Sequence, residues 1–393
     1  MAFMNSKKHV IDYTLLFVIF CFFLFSLIAV YSGSGQYESA DSFYFLKRQI
    51  FWYILGFAVL AAFALLDYDL IKRWSFYLYL FSVLLLIYVH FFGVIKNGSQ
   101  RWINFGLFEL QPSEFLKFSL VLYLATILNK VGNKRLSFKK SIPIIIKIGI
   151  VTLVPFVLVL VQPDLGSALM VGMAAATMLF ISVISSKMVL LILIGVVALV
   201  SVIVCLYFVA PELLMQIFKP HQLSRIYGWL DPEHFPSNSG YQLKQARMGI
   251  GSGQLTGNGF NQGVQIQSGK VPEAHTDFIF AVIGEEFGFI GACILVFLYF
   301  FLIYRIVLAT LNAKNLFGAY IGIGIIALIA FQVFQNIGMT IGLMPITGLA
   351  LPFISYGGSA LLTNMAAIGL ILSIQMRTRK HNLFDKGFSN NSD

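Results

Sequence analysis

Apolar runs of membrane length, separated by short polar breaks, recur from one end of the chain to the other. They fall at residues 13–31, 50–66, 76–95, 113–128, 142–161, 166–184, 188–209, 277–304, 317–341 and 358–374. A bilayer core takes roughly 20 apolar residues per helix, so these runs predict ten spans and an all-α polytopic membrane protein. Composition points the same way: of 393 residues 58% are hydrophobic and only 11% charged, with a mean hydropathy of +0.83. No soluble core needs that much apolar surface. The first run follows a short basic leader, Met1 to Val10, with Lys7 and Lys8. It is long for a signal-peptide core and no A-x-A site follows, so it reads as an uncleaved first span.

Charge adds a direction. The net charge of +10 could suggest nucleic acid, but the basic residues sit in short loops between apolar runs rather than along one face. Placing the N-terminus in the cytoplasm puts sixteen of the 27 Lys and Arg residues on the inside and only Lys47, Arg48, Lys96 and Arg101 in short outside loops. The expectation is one integral membrane domain over 1–393, with both termini cytoplasmic. A long outer loop is expected at 210–276, between the seventh and eighth spans, with a cytoplasmic tail at 375–393. Long loops cross regardless of charge, so the basic residues of 210–276 carry no weight in this argument. Cys21, Cys205 and Cys293 all lie in apolar runs and indicate neither a disulfide framework nor a metal site.

The outward segments hold the polar chemistry. In VPEAHTDFIFAVIGEEFG, 271–288, His275 and Asp277 stand at the mouth of an apolar run, and Glu285 and Glu286 lie inside it, where ionisable side chains are expensive and usually functional. Asp277 could equally cap the helix that follows. The segment at 97–118 brings Arg101, Trp102, Glu114 and Lys117. Glu114 and Lys117, three apart, share a helix face and can pair, for structure or for function. Trp102 also suits the headgroup level for purely physical reasons. Asp164, in VQPDLGSA, sits in a very short turn after Pro163, a common turn position. Within the long loop, 211–240 suits irregular or short interfacial helical structure. The glycine-rich stretch 240–263 lacks the third Gly of G-x-G-x-x-G, since Thr256 stands there, so it suits either tight turns approaching a ligand or a plain flexible loop. Finally, glycines and prolines interrupt an apolar stretch at 338–360, which includes Ser355. Non-helical backbone at that depth implies burial in protein or a watery cavity, in an enzyme or a transporter alike.

Taken in order, NGSQRWI, LQPSEFLKF, QPDLGSA, GYQLKQARMGIGSG, PEAHTDFIFAVIGEEFG and GLALPFISYGGSA resemble the motifs of the bacterial SEDS family, which includes RodA, FtsW and SpoVE. The resemblance runs from about Tyr13 to Ile374, and GNGFNQGVQIQSGKVPEAHTDF is more similar to the RodA elongation branch than to the division branch. It implies a peptidoglycan glycosyltransferase in the bacterial cytoplasmic membrane, with an outward-facing site. Its substrate would be lipid II, the undecaprenyl-pyrophosphoryl disaccharide-peptide. The family's essential aspartate corresponds to Asp277, its important tryptophan to Trp102, and its membrane-edge polar residues to Glu114, Lys117 and Asp164. Implied partners are a class B penicillin-binding protein transpeptidase and other elongation or division proteins. The chain itself shows no transpeptidase motif, SSK at 185–187 being a cytoplasmic turn.

On this reading Asp277 is the general base, and Lys117, held by Glu114, joins Arg101 in meeting the departing pyrophosphate. His275 and Ser355 support the site. A divalent cation, Mg or Mn, on Asp277 or Asp164 is compatible with carboxylates beside phosphate. The apolar stretch around Pro352 to Gly358 would wall a groove for the polyprenyl tail. The rival readings are a lipid II flippase and a scaffold that only docks a transpeptidase.

Overall fold

The structure, a computed structural model, describes residues 11–35, 42–96, 99–106, 108–209, 212, 220–232 and 238–389. The basic leader with Lys7 and Lys8, parts of the long loop and the last residues of the tail lie outside these.

Each expected apolar run falls largely within a helix. In chain order these are α1 (Tyr13–Gly33), α2 (Ser42–Leu65), α3 (Tyr68–Phe92), α4 (Pro112–Val131), α5 (Phe138–Val161), α6 (Leu165–Ile181) and α7 (Ser186–Val209). Three shorter helices follow, α8 (Pro220–Leu230), α9 (Asn238–Ser252) and α10 (Val264–Gln267), and then three long ones, α11 (Ile279–Leu311), α12 (Leu316–Ile341) and α13 (Gly358–Ser389). The starts are set locally by short polar side chains that accept otherwise orphaned amides: Asp12 from Leu15 N (3.1 Å), Asp164 from Ser167 N (3.0 Å) and Asn315 from Gly318 N (2.9 Å).

Eight of these helices are long and apolar enough to cross a membrane: α1, α2, α3, α5, α7, α11, α12 and α13. The other two expected spans differ for physical reasons. Helix α6 has 17 residues, and α4 carries Glu114 and Lys117 in its first turns. Most of α4 is buried against α3, α6 and α12, so it can be less apolar than a helix that faces lipid. Helix α7 is the opposite case: it is the most apolar of the eight, and its apolar stretch is not buried.

Helix α2 packs along α13, α3 along α4, and α12 against α4, α6 and α11, with α1 lying on α11. At the end away from Asp277, Asp12 is ion-paired with Arg305 and accepts from Gln375 (3.0 Å), tying α1, α11 and α13 together.

Two departures from the expected architecture bear on the site. First, the chain is not wholly helical: β1 (Val94–Lys96), β2 (Ser99–Asn104) and β3 (Glu109–Leu110) form a small antiparallel sheet in that order, which carries Arg101 and Trp102. Second, much of the glycine-rich stretch is helical, since α9 continues to Ser252. The glycines beyond it approach α11 rather than leaving an open loop. Gly288 interrupts α11 at φ 62°, and a Cβ there would lie 2.4 Å from the amide nitrogen of Gly257. The freed carbonyls of Glu285 and Glu286 accept from Asn258 N (2.9 Å) and Gly259 N (3.1 Å). Only glycine permits backbone to meet backbone this closely.

Candidate active site

Asp277 lies just before α11 and is half-buried. It does not cap that helix: Phe278 holds the N-cap position and no side chain bonds the first turn. Its carboxylate faces instead the main chain of the broken segment after α12, where a Cβ on Gly348 (φ 72°) would stand 3.2 Å from Oδ2. A side chain at Gly348 would fill this space.

That broken segment survives in an apolar bundle because its carbonyls are satisfied one at a time. Gln335 donates to Pro345 O (2.9 Å), Arg225 to Thr347 O (3.4 Å), Asn336 to Leu349 O (2.7 Å) and Gln332 to Ala350 O (2.8 Å). The hydroxyls of Tyr299 and Tyr53 then serve Pro352 O and Phe353 O, and Ser26 serves Ile354 O at 2.8 Å. Leu351 to Ser355 are therefore enclosed by α1, α2 and α11 and do not wall an open groove. An open apolar groove of about 790 Å³ lies elsewhere, between α9, α11 and α12, with Ile250, Phe280, Gly288, Phe297 and Ile337 among its lining.

Four charged groups act on the Asp277 carboxylate. Burial raises its pKa from 3.8 to about 6, Glu273 and Asp164 push the same way, and Arg225 and Arg101 oppose them. Arg225 comes from the amphipathic helix α8, whose Trp229 donates to Gly342 O (2.9 Å), so α8 is clasped to the broken segment at two carbonyls. Burial, and then repulsion from Arg101, lower the pKa of Arg225, with Asp164 and Asp277 working against them.

Arg101 reaches the cluster from β2. It donates to Gln162 O (3.1 Å) and Pro163 O (2.5 Å), and its guanidinium stands 3.7 Å from Asp164 Oδ2. Asp164 both caps α6 and takes part in the charge cluster, with Gln111 donating to Oδ2 (3.3 Å).

The remaining expected residues fall around this cluster. Glu114 and Lys117 are buried and paired at 2.8 Å in the first turns of α4, immediately after Gln111. Trp102 is half-buried on β2, paired across the hairpin with Val94. His275 is buried between the rings of Phe45 (4.5 Å) and Tyr356 (5.7 Å), and burial lowers its pKa, so it is neutral at neutral pH. Ser355 Oγ donates to Thr276 O (2.6 Å) and accepts from Leu351 N (2.8 Å), stitching the broken segment to the turn before α11. Glu285 accepts from Gln265 N (2.8 Å) and Ile266 N (3.1 Å), and Glu286 from Ser32, so the first carboxylate holds α10 to α11 and the second holds α1 to α11.

Arg225, Glu273 and Asn336 carry no mark in the sequence reading. Arg225 lies in a long loop, where basic residues carry no topological signal; its position in an amphipathic segment with Trp229 is what marks it. No three His, Cys, Asp or Glu side chains among the described residues are grouped to hold a metal ion. Both oxygens of Asp164 have partners within the protein, and each keeps a further lone pair.

The chain resembles known proteins over nearly its whole length. Residues 13–380 match the family of cell cycle proteins comprising FtsW, RodA and SpoVE. Stage V sporulation protein E of Bacillus subtilis (strain 168) is 35% identical over 383 residues, covering 96% of this chain and 100% of that protein. Peptidoglycan glycosyltransferase MrdB of Escherichia coli (strain K12) is 34% identical over 369 residues, 94% of each chain. Among solved structures, one described as the structural coordination of polymerization and crosslinking by a peptidoglycan synthase complex has a chain that is similar with a TM-score of 0.76. It is 28% identical and covers 94% of this chain and 98% of that one. The rod shape determining protein RodA of Thermus thermophilus follows at 0.67, 27% identical, covering 94% and 97%. The chain belongs to the FtsW, RodA and SpoVE family of cell cycle proteins.

Proposed function

We infer that this protein is a peptidoglycan glycosyltransferase that polymerises lipid II into glycan strands. The observation that carries the reading is Asp277, a carboxylate with a pKa raised to about 6, set beside two guanidinium groups at the mouth of a membrane helix. Family membership and the relatives' activity support it.

The chemistry follows from that placement. The Asp277 carboxylate takes the proton of the C4 hydroxyl on one lipid-linked disaccharide as its oxygen bonds the anomeric carbon of a second. The bond from that carbon to the pyrophosphate oxygen breaks, and the polyprenyl pyrophosphate leaves with the electron pair. A base with a pKa near 6 is ionised at neutral pH yet basic enough to help, an effect worth about 10² to 10⁴ in rate. Arg101 and Arg225 meet the leaving pyrophosphate, and Lys117, held by Glu114, adds positive charge at the start of α4. Asp164 orients Arg101, while His275 and Ser355 hold the turn that presents Asp277. Trp102 offers an aromatic surface to substrate. A divalent cation, Mg or Mn, held by Asp277 or Asp164, would supply charge neutralisation at the phosphates.

The same reading takes ten spans, including α4 and α6, with both termini in the cytoplasm and the Asp277 end facing outward across the cytoplasmic membrane. A polymerase without cross-linking activity calls for a class B penicillin-binding protein beside it. The similarity to a chain of a peptidoglycan synthase complex supports that partner. Elongation is the proposed role, from the resemblance of 257–278 to the RodA branch.

The discriminating experiment uses proteoliposomes with labelled lipid II in both leaflets. The enzyme reading expects glycan chains and no added lipid II exchange between leaflets. Exchange without chains, under conditions that activate a control polymerase, would make the protein a flippase.

A further inference from the structure

We propose that Asn336 is a positioning residue for the reaction at Asp277, one carboxamide fixing the main chain on both sides of the carboxylate. This rests on the reading of Asp277 as the base. Asn336 is fully buried on α12, and its Nδ2 donates both hydrogens, one to Asp277 O (2.8 Å) and one to Leu349 O (2.7 Å). Reversing the amide would aim its oxygen at two carbonyl oxygens, so the hydrogen bonds fix its orientation.

The position of this bond separates Asn336 from its neighbours. Gln332 and Gln335, on the same face of α12, hold Ala350 O and Pro345 O, carbonyls of the broken segment alone. Asn336 instead joins that segment to Asp277. Between its two acceptors lies the approach that shapes the site: Gly348, whose missing Cβ leaves room for the carboxylate, and Thr347, whose carbonyl anchors Arg225. Without the carboxamide, two buried carbonyls lose their donor at once, and Asp277 is free to shift against Gly348 and Arg225. A displacement of about 1 Å at a reacting group can lower the rate roughly 100-fold. Arg101 keeps its bonds to Gln162 O and Pro163 O, and Arg225 its bond to Thr347 O, none of which Asn336 makes, so binding of lipid II changes little.

The test is steady-state polymerisation of labelled lipid II by the purified full-length protein with its transpeptidase partner, together with the melting temperature of each variant. Asn336→Ala is expected to lower kcat roughly 10- to 100-fold with KM within about twofold. Asn336→Ser, which keeps one donor, should fall between it and wild type, and remains informative if the alanine variant does not fold. Gln332→Ala removes one bond of the same kind from the same helix and should keep kcat within about threefold at a loss of melting temperature similar to that of Asn336→Ser. Equal kcat losses for Gln332→Ala and the Asn336 variants at matched stability would make Asn336 merely structural and overturn the proposal, as would a rise in KM with kcat preserved. Asp277→Asn separates the two failures. If it keeps turnover, the base reading and this inference fall together; if it is inactive while both Asn336 variants turn over normally, only the positioning role falls.

Discussion

Replacing Asp277 by Asn should stabilise the protein while removing its chemistry, and the gain should depend on pH in a fixed sense. The folded carboxyl has its pKa raised from 3.8 to about 6, so the folded state holds this proton more tightly than the unfolded chain does. Between those two values stability falls as pH rises, and above about 6 the burial penalty is fully present. The shift corresponds to at most about 3 kcal/mol, and partial exposure of Asp277 reduces this to roughly 1–3 kcal/mol. For a chain of 393 residues that is a rise of roughly 1–4 °C in melting temperature. The assay is thermal unfolding of wild type and Asp277→Asn in one detergent at pH 8 and pH 4.5. The variant should melt higher at pH 8, and most of the difference should vanish at pH 4.5, where the wild-type carboxyl is protonated in the folded protein. A variant less stable at pH 8, or a difference independent of pH, would mean that Arg225 and Arg101 compensate the charge fully and that no burial penalty exists.

Three further outcomes follow from the same geometry. The polymerisation rate should fall about tenfold per pH unit below about 6, as the Asp277 base takes up a proton, measured as initial rates at saturating lipid II. Arg225→Ala removes a cation that favours the ionised Asp277, so this acidic limb should move to higher pH and the rate should drop roughly 100-fold, with Arg225→Lys between it and wild type. Glu114→Ala leaves Lys117 buried beside no carboxylate and should destabilise by about 3–5 kcal/mol, whereas replacing the pair together by Gln and Met should be milder by at least about 1 kcal/mol, both read from melting temperatures.

Hydropathy alone located all ten long helices, because a lipid-facing helix such as α7 must be apolar on every side and its run is unmistakable. It was less decisive for α4, whose surroundings are protein and whose sequence is free to carry Glu114 and Lys117. The small sheet at 94–110 was missed because its strands have two to six residues, too short for an alternation to register. Among site residues, Asp277 was legible as a charge at the mouth of an apolar run, and Asp164 and Arg101 as polar groups of the outward segments singled out by the family resemblance; the three meet at one end of the bundle. Arg225 and Glu273 were not, since they lie in a polar loop where a charge needs no explanation. Nor was Asn336, whose role depends on two carbonyls contributed by segments 59 and 13 residues away in the chain. The glycines of 253–259 announced a close approach correctly in kind, but the partner is the backbone of α11 at Gly288 rather than a ligand.

The most direct measurement is gel analysis of glycan chains made from labelled lipid II by the purified protein with its transpeptidase partner, comparing wild type, Asp277→Asn and Asp277→Ala. The account predicts polymer from wild type and none from either variant, with all three folded, partner-bound and binding lipid II alike. Equal polymer from the three would remove Asp277 from the chemistry and contradict the account at its centre.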